Sequence, residues 1–279
     1  MTRIALLQMT SGIDPAANAV TIVDAIANAK KGGAEMLFTP EMSGLLDKDR
    51  KRAAAKIVKE GEDIVLQAVR IAARNAGLWV ALGSLAVEGD QSEPDERWAN
   101  RSFLVAPDGS VAARYDKIHM FDVELDSGES WRESKAYTPG GKVVTADCPA
   151  GKLGLAVCYD VRFPALFEEL GRQSCDVISI PAAFTVPTGE AHWHLLLRAR
   201  AVEASAYLVA AAQLGEHEDG RQTYGHSLVV DPWGEVLLDM GGDAPGVGFA
   251  EIDPERIAQV RRQLPSLANR RDIPKSGRQ

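Results

Sequence analysis

Cys158 stands in GKLGLAVCYDVRFPALFEEL, where an apolar run gives way to an amphipathic one. A cysteine at such a junction is either a small core residue or a nucleophile held out at a strand-to-helix corner. A tight corner exposes the side chain and leaves the next backbone N–H, here that of Tyr159, ready to bind a developing oxyanion. A helix N-terminus would also favour thiolate over thiol. Gly151 and Gly154 before Cys158, and Pro164 in the first turn of the following helix, supply that context. Context alone leaves both readings open. Cys148, in a turn beside Pro149 and Gly151, and Cys175, at the start of a strand, read as structural.

A thiol nucleophile needs a base for its proton and donors for the oxyanion. None of His119, His192, His194, His217 and His226 lies in a papain-like context. His192 and His194 are two apart on a helix and share no face, so they make a poor metal pair. GGK at 140–142 lacks phosphate-loop spacing. No pattern points to zinc, phosphate or a cofactor, and none is expected. Two charged residues stand out instead. FTPE puts Glu41 directly after a buried strand and a proline, where a carboxylate facing a closed site is raised toward general-base range. RYDKIHMFDVE puts Lys117 just past a strand, where an ammonium beside the thiolate would favour its charge and then hold an oxyanion. Taken alone, each also reads as a solvated charge.

Positioning such groups takes a scaffold of strands and helices. RIALLQMT reads as a buried strand. The segment after it reads as a helix capped by Asp14, with Pro15 first, Gly32 near its end, and Val20, Val23, Ile26 and Ala27 on one face. EMLFTPE is a short strand, EDIVLQAVRIAARNAG a helix ending at Gly77, and LWVALGSLAVE a strand. RSFLVAPDGSVAARYDK is a hairpin, and HSLVVDPWGEVLLDM repeats that unit, which reads either as an internal duplication or as two instances of a common turn. GKLGLAVCY, CDVISIPAAF, YLVAAAQLG and GVGFAEI are strands. FPALFEELGRQ, a long helix from near Thr188, and PERIAQVRRQLP are helices. Residues 1–268 form one α/β domain with strands in two layers and helices outside, followed by a loose polar tail at 269–279.

Three motifs then match one family. FTPE with Glu41, YDKIHMFDVE with Lys117 and GLAVCYDVRFP with Cys158 resemble the signature segments of the nitrilase, or carbon–nitrogen hydrolase, superfamily, in its order and spacing. The resemblance runs from IALLQMT to RRQLP. It implies a four-layer αββα sandwich, dimerised through helices and the C-terminal segment, with a Glu–Lys–Cys triad and no metal or cofactor. It also implies a second glutamate between the lysine and the cysteine, matched by Glu133 in WRESKAYTPGG better than by Glu124 or Glu129. Glu133 either holds Lys117 and shares in proton transfer, or forms a salt bridge that shapes the loop.

Within the superfamily the chain looks most like amidases acting on 2-oxo acid amides. LVAAAQLGEH is closer to those that cleave deaminated glutathione than to omega-amidases. A carbamoylase and a non-enzymatic nitrilase-fold scaffold are the other readings. Arg162, four residues after Cys158, suits the acyl carboxylate, with an ion pair to Asp160 or a helix glutamate as the alternative. Phe184 and Thr188 match positions lining the acyl pocket. Arg198, Arg200 and Glu203 read as packing and ion-pair residues. The tail NRRDIPKSGRQ departs from the family's usual ending, which puts the C-terminal dimer contact in question.

The totals agree with a small-molecule enzyme. The 279 residues carry a net charge of −8, against a nucleic-acid partner, and three scattered cysteines, which fit a reducing cytoplasm. No stretch approaches a membrane span, and MTRIALLQMT turns polar too soon for a signal peptide. NRS at Asn100 matches a glycosylation acceptor by chance.

Overall fold

Alternating side chains along the first strand set the layering. In β1 (Thr2–Gln8), Ile4 and Leu6 face one way, Ala5 and Leu7 the other, and all four are buried. Ile4 and Leu6 join a cluster shared with a second sheet, while Ala5 and Leu7 join one under helices. A strand buried on both faces belongs between two packed layers. The structure, a computed structural model, describes residues 1–89, 97–124, 128 and 130–274. Glu129 and the last residues of the tail lie outside the described residues.

The first half continues with α1 (Pro15–Lys31), β2 (Met36–Phe38), α2 (Arg50–Ala54), α3 (Ile64–Ala76), β3 (Trp79–Glu88), β4 (Trp98–Val105) and β5 (Val111–Asp116). A small hairpin follows, β6 (Asp122–Glu124) and β7 (Ser130–Arg132). The second half holds β8 (Thr145–Cys148), β9 (Gly151–Leu155), α4 (Pro164–Arg172), β10 (Val177–Ser179), α5 (Val186–Ala204), β11 (Tyr207–Ala210), β12 (Leu214–Glu216), β13 (Gln222–Tyr224), β14 (Leu228–Val230) and β15 (Val236–Asp239). β16 (Gly246–Ile252) and α6 (Pro254–Gln263) end the sequence of elements.

Two six-stranded sheets run β16-β1-β2-β3-β4-β5 and β15-β14-β11-β10-β9-β8. Each has the same plan: an antiparallel edge strand, three parallel strands, then an antiparallel hairpin. The repeated hairpin of the sequence is therefore one corner of a repeated topology. α1 and α3 cover one sheet through Ile22, Ile26, Val65 and Val69; α4 and α5 cover the other through Leu166, Phe167, Trp193 and Leu197. The order of layers is αββα, as the resemblance implied.

Three expectations change. In α1, Val20 is 61% exposed. Ala27 is exposed too, and the buried face is Ile22, Ala25, Ile26 and Ala29. Small alanines on that face let α3 approach closely, and Val20 is surplus apolar surface. Helix α5 begins at Val186, one half-turn before Thr188. The start of the tail is tied down rather than loose: Arg270 donates to the carbonyls of Glu168 (2.6 Å) and Glu203 (3.3 Å).

One glycine fixes where the loop after β2 lies. A Cβ on Gly83, in β3, would sit against the carbonyl oxygens of Thr39 and Pro40 and the ring of Pro181. Backbone cannot yield as a flexible side chain does, so Gly83→Ala should destabilise by about 1–3 kcal/mol or more. The check is the urea midpoint, with activity measured alongside, since the same loop carries Glu41. A midpoint equal to wild type would show that the loop has slack.

Candidate active site

Glu41 follows β2 through Thr39 and Pro40, in a turn where Met42 takes a left-handed φ of 54°. Thr39 Oγ1 accepts from the Gly83 N–H (3.0 Å), and the Glu41 carbonyl accepts from Gln213 Nε2 (2.9 Å), which locks the turn. The carboxylate is buried. Its Oε1 accepts from Lys117 Nζ (3.0 Å) and Asn100 Nδ2 (3.0 Å), and its Oε2 from the Ala183 N–H (3.0 Å).

Lys117 lies one residue past β5, 2% exposed. Its backbone N–H donates to the Asn100 carbonyl (3.0 Å), so the β4–β5 ladder aims the two side chains together. Glu133 comes from a single turn at Glu133–Lys135 and reaches Lys117 Nζ at 2.8 Å. It is held by the Phe121 N–H (2.6 Å) and by Asn100 Nδ2 (3.1 Å). Burial alone would lower the Lys117 pKa; the carboxylates of Glu133 and Glu41 outweigh it and hold the ammonium well above its usual range.

Cys158 opens a one-turn 3-10 helix, Cys158–Arg162, with φ 49°, and its N–H donates to the Pro181 carbonyl (2.9 Å). The strand-to-helix corner is thus present, but α4 begins only at Pro164. The expected preference for thiolate does not hold: burial, and then the Glu41 carboxylate, push the thiol well above its usual pKa against the pull of Lys117. Burial also pushes Cys148 up to about 11 and Cys175 up to about 12. Among the described residues the Tyr159 N–H meets no acceptor. Asp160, fully buried, accepts from the Val157 N–H (2.9 Å), the Tyr115 hydroxyl (2.7 Å) and the His119 N–H (3.0 Å). It therefore ties the lysine segment to the cysteine corner.

Glu41, Lys117, Glu133, Cys158, Tyr159 and Arg162 line one cavity of about 480 Å³. Phe184 and Thr188 line it too. Arg162 has no ion pair among the described residues; Asp160 is taken by Tyr115 and His119, so the expected alternative falls away. The guanidinium lies 5.4 Å from the Phe184 ring centre and 3.3 Å from His192 Nδ1. Glu124 is elsewhere, 78% exposed and paired with Arg132. Arg200 pairs with Glu203 (2.8 Å) and donates to the Val161 carbonyl, as an ion-pair and packing residue does. His194 joins His226 around Asp239, at 2.9 Å from each, outside the cavity lining.

The carbon-nitrogen hydrolase family model matches residues 3–262. The chain belongs to that family. It is 40% identical to the deaminated glutathione amidase of Yersinia enterocolitica over 97% of this chain and 93% of that protein. Among solved structures it resembles the C. elegans NitFhit protein, with TM-score 0.87, 36% identity, and coverage of 97% of this chain and 65% of that one. An amidase from Nesterenkonia sp. AN1, solved with acrylamide added at its active-site cysteine, matches with TM-score 0.77 and 28% identity over 95% of this chain and 98% of that one.

The ionic cluster contains one residue that its local sequence does not mark. Asn100, noted only as a chance glycosylation match, is fully buried and bridges the two carboxylates. The signal was its place one residue before the predicted hairpin, facing Lys117, which needs the register to be read.

The electrostatics around Cys158 can be measured by alkylation against pH. Glu41→Gln removes the carboxylate that raises the thiol, so the labelling midpoint should move down. Lys117→Met removes the opposing charge, so it should move up. Midpoints that stay at the wild-type value in both variants would refute this account.

Proposed function

We propose that the chain is an amidase that hydrolyses deaminated glutathione to 2-oxoglutarate and cysteinylglycine through a thioester on Cys158. The observation that carries this is the meeting of a buried thiol, a carboxylate and an ammonium on the wall of one cavity, with an arginine beside them that has no ion pair among the described residues. Relatives named for that activity share about two-fifths of the sequence, which supports the substrate.

Glu41 takes the proton that Cys158 holds at rest, and the sulfur attacks the amide carbonyl. Lys117 and the Tyr159 N–H receive the oxyanion, at a site where preorganised donors stabilise charge as it forms. Protonated Glu41 gives its proton to the leaving amine. Water then enters, Glu41 deprotonates it, and the thioester is cleaved to acid and free thiol. Glu133 holds Lys117 and shares in these proton movements. Arg162 pairs with the carboxylate of the 2-oxo acid, and Phe184 and Thr188 bound its chain.

The enzyme works without metal or cofactor in this reading. Unpaired cysteines suit the cytoplasm, and among the described residues no helix is long and apolar enough to cross a membrane. A homodimer through the outer face of α5 fits the exposed apolar side chains of Leu195, Val202, Trp233 and Leu237, with Val202 packed beside Gly234 of the β14–β15 turn.

Glu41→Gln and Lys117→Met should each lose about a hundredfold or more in kcat, and limiting iodoacetamide should mark Cys158 ahead of Cys148 and Cys175. Near-normal turnover in either variant would remove that residue from the mechanism.

The substrate is tested by kcat/KM on deaminated glutathione and on 2-oxoglutaramate. The first should be preferred, and Arg162→Met should lower kcat/KM for both anionic amides by on the order of 30-fold or more. Faster release of ammonia from 2-oxoglutaramate would make the enzyme an omega-amidase instead.

A further inference from the structure

The cavity holds a cation that the chemistry at Cys158 does not use. Arg221 lies between β12 and β13, its side chain 17% exposed, and its guanidinium sits 4.6 Å over the Trp131 ring. Asp219 is its one ion-pair partner among the described residues, 3.3 Å from the guanidinium. Asp219 is itself held by the backbone N–H groups of Lys48 (2.8 Å) and Arg221 (2.9 Å), so it orients the arginine from behind. Arg221 Nε and Trp131 Nε1 are both buried donors with no acceptor. Buried donors without partners are uncommon and costly, and two on stacked residues that line one cavity ask for an acceptor from a ligand.

A row of rings joins this corner to Arg162. Arg162 lies 5.9 Å from the Tyr159 ring, Tyr159 5.1 Å from Phe121, Phe121 6.3 Å from Trp131, and Trp131 4.6 Å from Arg221. All of them line the same cavity, and Tyr159 is the residue after Cys158. The wall therefore has a cation at each end and the thiol near the Arg162 end.

We propose that Arg221 and Trp131 form the leaving-group subsite, and that the group it takes is the terminal carboxylate of a short peptide amine. This rests on the amidase reading above and supplies what that reading lacks, a place for the other half of the substrate. With the acyl carboxylate on Arg162 and the scissile carbonyl at Cys158, an extended dipeptide carries its carboxylate roughly 7 Å beyond the scissile nitrogen. The ring centres are 5.1 Å apart from Tyr159 to Phe121 and 6.3 Å from Phe121 to Trp131, so a leaving group of that length reaches along the rings from the thiol toward Trp131. Entry of the carboxylate would satisfy the guanidinium fork and the indole N–H together, after a small shift that opens the two buried donors. Peptide planes of the leaving group would lie along the Phe121 and Trp131 rings. Ammonia as leaving group would use none of this, so the same wall favours a peptidyl amide over a primary amide.

The test compares 2-oxoglutaryl-cysteinylglycine, its C-terminal glycinamide and 2-oxoglutaramate on wild type, Arg221→Met and Trp131→Phe. Wild type should prefer the free acid to the glycinamide by on the order of tenfold or more in kcat/KM. Arg221→Met should bring that ratio close to one, and Trp131→Phe, which keeps a ring but loses the donor, should narrow it. A thermal melt accompanies each variant. If Arg221→Met fails to fold, Arg221→Lys, which keeps charge but not the flat fork, must still show a lowered ratio. A wild-type ratio near one, or a ratio that survives loss of the guanidinium, would overturn the subsite while leaving the amidase reading intact. A wild type inert to all three amides would overturn the amidase reading and the subsite with it.

Discussion

Two carboxylates and one ammonium share a volume that water barely reaches, and the arrangement of the site follows from that. Lys117 and Glu41 are both almost fully buried. Charges removed from water are costly unless each is paired and hydrogen-bonded. Here the partners are supplied by fixed groups: Asn100 bridges both carboxylates, the Ala183 N–H serves Glu41, and the Phe121 N–H serves Glu133. With one positive and two negative groups, the cluster leaves negative charge beside Cys158. Burial first, and the Glu41 carboxylate second, keep the proton on the thiol against the pull of Lys117.

The double sheet brings these groups together from far apart in the chain. Glu41 follows β2, Lys117 follows β5, Cys158 follows β9, and Ala183 lies beyond β10. In each case the residue comes just after a strand of a sheet that is buried on both faces. β2, β9 and β10 are held by ladders on both sides and the edge strand β5 by β4 alone, and strand ends so held position a side chain more firmly than a free loop does. The matching plans of the two sheets put strand ends of both halves at one cavity. Asp160 fastens the halves there, since it takes hydrogen bonds from the Tyr115–His119 segment and from the turn that carries Cys158.

The cavity wall is as informative as the ionic cluster. Three of its cations differ in their partners: among the described residues Lys117 is neutralised by two carboxylates, Arg221 by one at longer range, and Arg162 by none. A wall that grades from paired to unpaired positive charge, faced with aromatic rings, suits a linear anion. The net charge of −8 lies elsewhere on the molecule. Bulk charge and site charge therefore have opposite signs, which is why composition does not describe the substrate.

The sequence by itself determined most of the long elements and pointed to the three side chains proposed to react, while the short α2, β6–β7 and β12–β13 carried no local signal. Asp14, Gly77 and the PDG turn act through neighbours in the chain, and Glu41, Lys117 and Cys158 stand in motifs short enough to read directly. The αββα order was legible through the resemblance those motifs carry. Tertiary structure decided the rest. The face of α1 depended on how closely α3 could approach, and the protonation of Cys158 on a carboxylate more than a hundred residues away. Asn100 gained its role from strand register, and Arg221 met Trp131 only because distant loops fold over one cavity. Short-range rules specify a cap or a turn, but charge, burial and register are properties of the assembled layers, and no local stretch of sequence contains them.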